Sequence, residues 1–305
     1  MLYYPHQRTD RSDNMDLCNL KDIRALLDRH GFHFSKAMGQ NFLIDASVPY
    51  SIAENCGADK SCGVLEIGPG IGCLTEQLAK RAQKVVSVEL DRRLLPVLSE
   101  TMAPYENVTV IHGDILKLNL PALAAEQFSG LTPLVCANLP YNITTPVLSA
   151  LIDSQCFECL TVMIQKEVAQ RICAVPGSAA YGAFSVYMQF HTTPELLFDV
   201  PPHCFTPQPK VTSAVLRCTL RKNPPVDIAD SVFFFRVVRA AFAMRRKTLV
   251  NGLASAFGTQ IPKTELAALL DCCGFSPAVR GETLGLAEFA RLSNALQERL
   301  QDSHR

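Results

Sequence analysis

The apolar run at residues 133–139, "PLVCANL", reads as a buried strand whose end delivers Asn138, Leu139, Pro140 and Tyr141. An amide, a backbone carbonyl beside a proline and a phenol ring could serve a purine bearing an exocyclic amine. Such an amine is a poor nucleophile because its lone pair is delocalised into the ring. The Asn138 side-chain oxygen and the carbonyl beside Pro140 could accept both amine hydrogens, favouring a pyramidal nitrogen with its lone pair aimed at an electrophile. Tyr141 could stack on the base, a contact worth roughly 1–3 kcal/mol. No general base is required, since an amine that has attacked a sulfonium methyl loses its proton readily to water. Positioning is then the main task. The same residues also suit a plain strand-ending turn, because Asn and Pro both favour turns.

A second cluster lies upstream in "VLEIGPGIGCLTEQLAK", where Gly68, Gly70 and Gly72 separate a strand pattern from a helix pattern. Glycines let the chain turn sharply and let a ligand approach without meeting a β-carbon. In open α/β sheets, ligands bind beyond the carboxyl ends of the strands. The sixth position counted from Gly68 is Cys73, so the loop is G-x-G-x-G rather than the G-x-G-x-x-G/A of dinucleotide sites. This favours S-adenosylmethionine over NAD. Glu89 ends the second strand pattern, "VVSVEL", where a carboxylate can accept from both ribose hydroxyls. Asp114 ends the third, "IHGD", and could accept from the cofactor's adenine amine. Asp91 and Asp114 are equally well placed as helix caps.

These strand ends must be held by a regular frame. From residue 63 to about 220, the runs "VLEIG", "KVVSVEL", "NVTVIHG", "PLVCANL", "LTVMIQ", "ELLFDV" and "SAVLRCTL" alternate with amphipathic stretches such as "CLTEQLAKRA". That is the rhythm of an α/β fold, a mostly parallel sheet covered on both faces. No long helix separates the last two runs, which predicts an antiparallel arrangement at one sheet edge. After the turn-rich "RKNPPVD" only helical patterns follow. The expected organisation is an N-terminal extension and helix at 1–37, a sheet domain at 38–222 and a small helical domain at 223–305. Residues 1–18 read as disordered, and "NLKDIRALLDRHG" as a helix closed by Gly31.

Composition narrows the class. The chain has 305 residues, 48% of them hydrophobic, and no apolar run approaches the roughly 20 residues of a membrane span. The N-terminus lacks an apolar signal core, so a cytoplasmic location is expected. The 12 cysteines are scattered through strand and helix patterns and read as reduced thiols. No metal is expected, because the CxxC of Cys156 and Cys159 has no second half, and neither has the pair His30 and His33. Net charge is zero, yet between Val200 and Thr264 the only acids are Asp227 and Asp230. Lys210, Arg236, Arg239, Arg245, Arg246 and Lys247 fall in that interval, a candidate phosphate-facing surface or a solvated helix face.

Taken in order, "KAMGQNFLID", "EIGPGIGCLT", "VELD", "GDIL", "NLPYNITTP", "MIQKEVAQRI", "YGAFSV", "FTPQPKVTSAV" and "AFAMRRKTL" resemble the ribosomal RNA adenine dimethyltransferases over nearly the whole chain. The resemblance implies a Rossmann-like S-adenosylmethionine-dependent methyltransferase fold with a C-terminal helical domain that docks on RNA. It implies that Asn41 and Leu43 close over the cofactor, Gly68 and Gly70 lie beneath its methionine part, Glu89 holds its ribose and Asp114 its adenine. Asn138 would contact cofactor and target amine, and Tyr141 and Phe205 would hold the target adenine. The implied substrate is a pair of adjacent adenosines near the 3′ end of small-subunit ribosomal RNA, free or in an assembling subunit, with the enzyme expected to be a monomer. Rival expectations are a large-subunit RNA methyltransferase of the antibiotic-resistance type and a non-catalytic assembly factor. Two positions depart from the family pattern, Thr212 in place of an acid and Val250 in place of a basic residue.

Overall fold

The computed structural model describes residues 2–4, 15–33 and 40–302. An eight-stranded sheet organises the first of two compact units, residues 1–169 with 195–220. Its strands are β1 (Leu2–Tyr4), β3 (Cys62–Ile67), β4 (Lys84–Glu89), β5 (Val108–His112), β6 (Thr132–Asn138), β7 (Cys159–Gln165), β8 (Thr192–Val200) and β10 (Ser213–Leu220). The order is β1-β5-β4-β3-β6-β7-β10-β8. β3 pairs in parallel with β4 and β6, β4 with β5, and β6 with β7, while β7 pairs antiparallel with β10. A two-residue ladder stands apart from this sheet, joining β2 (Phe42–Leu43) to β9 (Phe205–Thr206).

The connections explain the burial. Helices α2 (Ser47–Asn55), α3 (Cys73–Arg81), α4 (Leu95–Thr101), α5 (Leu120–Gln127) and α6 (Thr144–Asp153) precede or link the parallel strands, and α7 (Lys166–Ile172) follows β7. With helices on the faces, the central strands bury both sides and lose the in-out alternation, as all six residues of β3 show. Glu66 is the polar exception in that strand. Its Oε2 accepts from Thr75 Oγ1 of α3 at 2.6 Å and from Ser87 Oγ of β4 at 2.7 Å, tying three elements together.

The strand order reverses at β3: the chain runs outward through β4 and β5, then returns to β6 on the other side. The gap opened at the carboxyl ends there is where open α/β sheets take their ligands.

The second unit comprises residues 170–194 and 221–305. Its helices are α8 (Ala183–His191), α9 (Ser231–Ala243), α10 (Leu249–Phe257), α11 (Lys263–Cys272) and α12 (Leu286–Asp302). This differs from the contiguous division expected at residue 222, since 170–194 group with the later helices. Aromatic packing is the reason. Phe190 of α8 lies against Phe234 and Phe235 of α9 with centroids 5.2 Å apart, and the buried Tyr181 donates its hydroxyl to Leu284 O at 3.0 Å.

The N-terminal expectation needs a correction as well. Residues 2–4 pair antiparallel with β5, and Leu17 and Cys18 are buried in the sheet unit's core, so 1–18 are not uniformly without structure; 5–14 lie outside the described residues. Helix α1 (Leu20–Arg29) is capped by the Asn19 side chain, and Gly31 follows it at φ +59°. All 12 cysteines are free thiols.

Candidate active site

The carboxyl ends of β3 to β6 surround one cleft. Its lining includes Asn41, Leu43, Gly68, Gly70, Glu89, Asp114, Asn138, Leu139, Pro140, Tyr141 and Phe205. Every residue expected to hold the cofactor or the target base is therefore gathered in one place within the sheet unit. Each arrives by its own local logic.

The glycine loop turns because residues 68, 70 and 72 adopt φ of +67°, +62° and +96°, a region that side chains with a β-carbon avoid. At Gly68 a β-carbon would meet nothing nearer than Pro140 Cδ at 4.0 Å, so it would stand in the open cleft where a ligand must pass. At Gly72 it would lie 2.5 Å from Met102 Cε, which makes that glycine a packing requirement.

Glu89 anchors the floor. Its Oε1 accepts from Asp91 N at 2.7 Å, and its Oε2 from Gly70 N at a long 3.3 Å. Burial pushes its carboxyl up to about 7, partly opposed by those backbone donors. A buried carboxylate beside a glycine cradle fits a ligand with a vicinal diol. Glu66, behind the loop, is also pushed up to about 7 by burial, with Thr75 and Ser87 opposing.

Asp91 and Asp114 both cap single helical turns, accepting from Arg93 N at 3.0 Å and Leu116 N at 3.1 Å. For Asp114 the cap leaves Oδ2, 3.6 Å from Lys117 Nζ, at the cleft wall. Asp91 does more than cap. It receives Arg93 through Nε at 2.9 Å and the terminal nitrogen at 2.6 Å, and Gln40 Nε2 donates to its Oδ2 at 2.7 Å. The Arg93 bonds hold its carboxyl below the usual range. Through Gln40, the segment carrying Asn41 and Leu43 is fastened to the same turn that fastens Glu89.

At the end of β6, Asn138 pairs with Met163 in the ladder, and Leu139 N donates to Met163 O at 3.0 Å. The Pro140 carbonyl is taken by Ile143 N at 3.2 Å and Thr144 Oγ1 at 3.3 Å, which leaves the Leu139 carbonyl as the acceptor beside Asn138. The turn reading and the site reading thus coincide: the strand does end in a turn, and the turn presents its side chains to the cleft. Tyr141 is half-buried, with its hydroxyl 2.6 Å from Ser213 Oγ. Burial raises its pKa, against the Ser213 bond. Phe205 is buried and pairs with Leu43 across the β2–β9 ladder, so the residue expected to hold the base shares backbone with the residue expected to cover the cofactor.

Sequence reasoning missed Gln40 and Ser213, whose partners Asp91 and Tyr141 lie 51 and 72 residues away, and with Gln40 the role of Asp91 beyond a helix cap. The six basic candidates are all exposed, but they are not alike. Arg236 sits 4.4 Å over the Phe257 ring and donates to Ala256 O at 3.3 Å. Arg245 pairs with Glu282 at 2.9 Å and also reaches Ala179 O. Among the described residues Arg239, Arg246, Lys247 and Lys210 have no ion pair. Val250 packs against the helical core, which explains an apolar residue there, and the Thr212 carbonyl accepts from Lys166 N at 3.0 Å.

Comparison with known proteins adds an independent line. Residues 31–271 match the family described as ribosomal RNA adenine dimethylase. A ribosomal RNA small subunit methyltransferase A of Geobacillus sp. (strain WCH70) is 46% identical over 287 residues, covering 93% of this chain and 99% of that protein. The protein of the same name from Geobacillus thermodenitrificans is 48% identical over 284 residues, covering 92% and 97%. Among solved structures, a dimethyladenosine transferase from Plasmodium falciparum shares the fold with a TM-score of 0.71 at 22% identity, over 86% of this chain and 98% of that one. The 23S rRNA methyltransferase ErmE superposes with a TM-score of 0.64 at 26% identity, over 84% and 99%. With this extent of matching, the chain belongs to the ribosomal RNA adenine dimethylase family.

Proposed function

We propose that this chain uses S-adenosylmethionine to dimethylate the 6-amino groups of two adjacent adenosines near the 3′ end of small-subunit ribosomal RNA. The observation that carries the reading is the single cleft that collects Gly68, Gly70, Glu89, Asp114, Asn138 and Tyr141 at the sheet's switch point. The relatives at 46–48% identity, named for the small subunit, favour that target over the large-subunit one of ErmE at 26%. An intact cleft with all of these groups in place argues for catalysis over a purely structural role in subunit assembly.

Bound in the cleft, S-adenosylmethionine supplies a methyl group to which the amine nitrogen's pair forms the new N–C bond, as the C–S bond breaks with its pair kept by sulfur. The chain's own part is placement. Glu89 accepts from the ribose hydroxyls, Asp114 accepts from the cofactor's adenine amine, and the bare backbone at Gly68 and Gly70 gives the methionine part room. Asn41 and Leu43 close the cleft from the side held by Gln40 and Asp91. Asn138 Oδ1 and the Leu139 carbonyl each accept one hydrogen of the target amine, with Pro140 fixing the turn between them and Tyr141. Tyr141 and Phe205 flank the base. Water takes the amine's proton, so no side chain need titrate during transfer. Exposed Arg239, Arg246, Lys247 and Lys210 contribute phosphate contacts, with Arg236 and Arg245 held by the helical unit itself. Folded RNA of this kind is recognised largely by shape and backbone. The enzyme acts as a monomer in the cytoplasm on free RNA or an assembling subunit.

The test is to incubate the purified protein with S-adenosylmethionine and under-methylated small ribosomal subunits, digest the RNA and map methylated adenosines by mass spectrometry. Dimethyladenosine at two adjacent positions near the 3′ end is the expected product. Methylation confined to large-subunit RNA, or none at all with the cofactor bound, would overturn the reading.

A further inference from the structure

Ser213 is fully buried at the first position of β10, opposite Gln165 of β7, and its Oγ lies 2.6 Å from the Tyr141 hydroxyl. The transfer as described makes no use of that hydroxyl. A ring attached at one end can swing about two side-chain bonds; tethered also at its para oxygen, which lies on the Cβ–Cγ axis, it keeps one position in the cleft and can turn only about that axis. The tether comes from the rigid sheet, whereas Tyr141 itself stands in the turn after β6. The bond therefore fixes where the ring stands for a base to stack on.

We infer that Ser213 is a positioning residue that fixes the Tyr141 ring, and that its effect falls more heavily on the second methyl transfer than on the first. The inference rests on the reading of Tyr141 as a platform for the target base. An unmethylated amine brings two hydrogens, one for Asn138 Oδ1 and one for the Leu139 carbonyl. The first transfer replaces one hydrogen by methyl: nitrogen's pair makes the N–C bond, sulfur keeps the pair of the broken C–S bond, and the proton goes to water. The base that must react again has one hydrogen left to donate, so its placement depends more on the ring it stacks against. Loosening that ring should slow the second step selectively and let monomethyladenosine accumulate.

The experiment compares Ser213→Ala, Tyr141→Phe, their double variant and Tyr141→Ala in the full chain, under single-turnover conditions with S-adenosylmethionine and under-methylated small subunits. Mass spectrometry follows mono- and dimethyladenosine with time and gives the two rates separately. A single hydrogen bond of this kind is worth about two- to tenfold in a rate. The ratio of second to first rate is expected to fall by about that factor in each of the first two variants, and no further in the double variant. Loss of folded protein lowers both rates together and leaves the ratio unmoved, so the ratio is blind to destabilisation by Ser213→Ala. Tyr141→Phe keeps the ring and the buried serine, which guards against a folding defect. An unchanged ratio in Tyr141→Phe overturns the inference, and so do effects that multiply in the double variant. Tyr141→Ala separates the two levels. Normal rates in that variant sink the platform reading and the inference with it, whereas a large loss there beside unchanged ratios elsewhere sinks the inference alone.

Discussion

Cofactor affinity should depend on pH near neutrality, and Glu89 is the reason. Its carboxyl is pushed from 4.5 up to about 7 because burial disfavours the charge, with the backbone donors of Asp91 and Gly70 opposing in part. The ionised form is the one that gains from two ribose hydroxyl donors. With a pKa of about 7, roughly one tenth of the sites are ionised at pH 6 and roughly nine tenths at pH 8. Affinity for S-adenosylmethionine should rise about tenfold across that interval, and binding at pH 6 should release a proton to the buffer. The same shift acts oppositely on stability: the folded protein holds this proton more tightly than the unfolded chain, so stability falls as pH rises from 4.5 to about 7 and then levels. Titration calorimetry at pH 6, 7 and 8, in buffers of different ionisation enthalpy, measures affinity and proton release together. Glu89→Gln should flatten both. Glu66→Gln should leave both in place, because Glu66 Oε2 is already occupied by the Thr75 and Ser87 hydroxyls. Affinity that is flat from pH 6 to 8, or a slope that survives Glu89→Gln and vanishes in Glu66→Gln, refutes the reasoning.

Further expectations concern the amine site, the loop and the RNA. Asn138→Ala removes an acceptor aimed at the reacting nitrogen and should lower single-turnover methyl transfer by about 10²–10³; a folded variant with a near-normal rate would show the role to be wrong. Gly72→Ala adds a β-carbon 2.5 Å from Met102 Cε at φ +96°, and should cost about 1–3 kcal/mol of unfolding free energy in urea titrations. Arg239→Ala with Arg246→Ala should weaken binding to small subunits and reduce the slope of log affinity against log salt by about 2, whereas Arg245→Ala should instead lower the thermal midpoint through loss of its Glu282 pair.

The strands and the site's strand ends could be read locally because each carries its own signal. Val85, Val86 and Val88 or Val108, Val110 and Ile111 announce buried β structure, and Gly68, Glu89, Asp114 and Asn138 follow such runs directly. Pattern reading fails where the determinant is a distant partner. Phe42 and Leu43 form a ladder with Phe205 and Thr206, two residues from each side, far below the length at which alternation can be recognised. Residues 2–4 find β5, and the polar N-terminal composition masked that pairing. Gln40 has no meaning until Asp91 is beside it. Helix α8 falls by chain position inside the sheet domain expected at 38–222; only the aromatic neighbours of Phe190 reveal which core its apolar face serves.

The interleaving of the two units bears on how such a protein can be altered or inherited. The chain passes between them after residues 169, 194 and 220, so the helical unit is assembled from two separated stretches. One crossover or one stop codon near residue 222 cannot exchange or delete it. Such an event would leave α8 behind with Tyr181, Val186 and Phe190, all buried in the intact protein, stripped of the helices that cover them. A bare apolar face of that kind invites aggregation. A change of RNA specificity by recombination would therefore need two coordinated exchanges, whereas substitutions at single exposed cations such as Arg239 remain open to stepwise change.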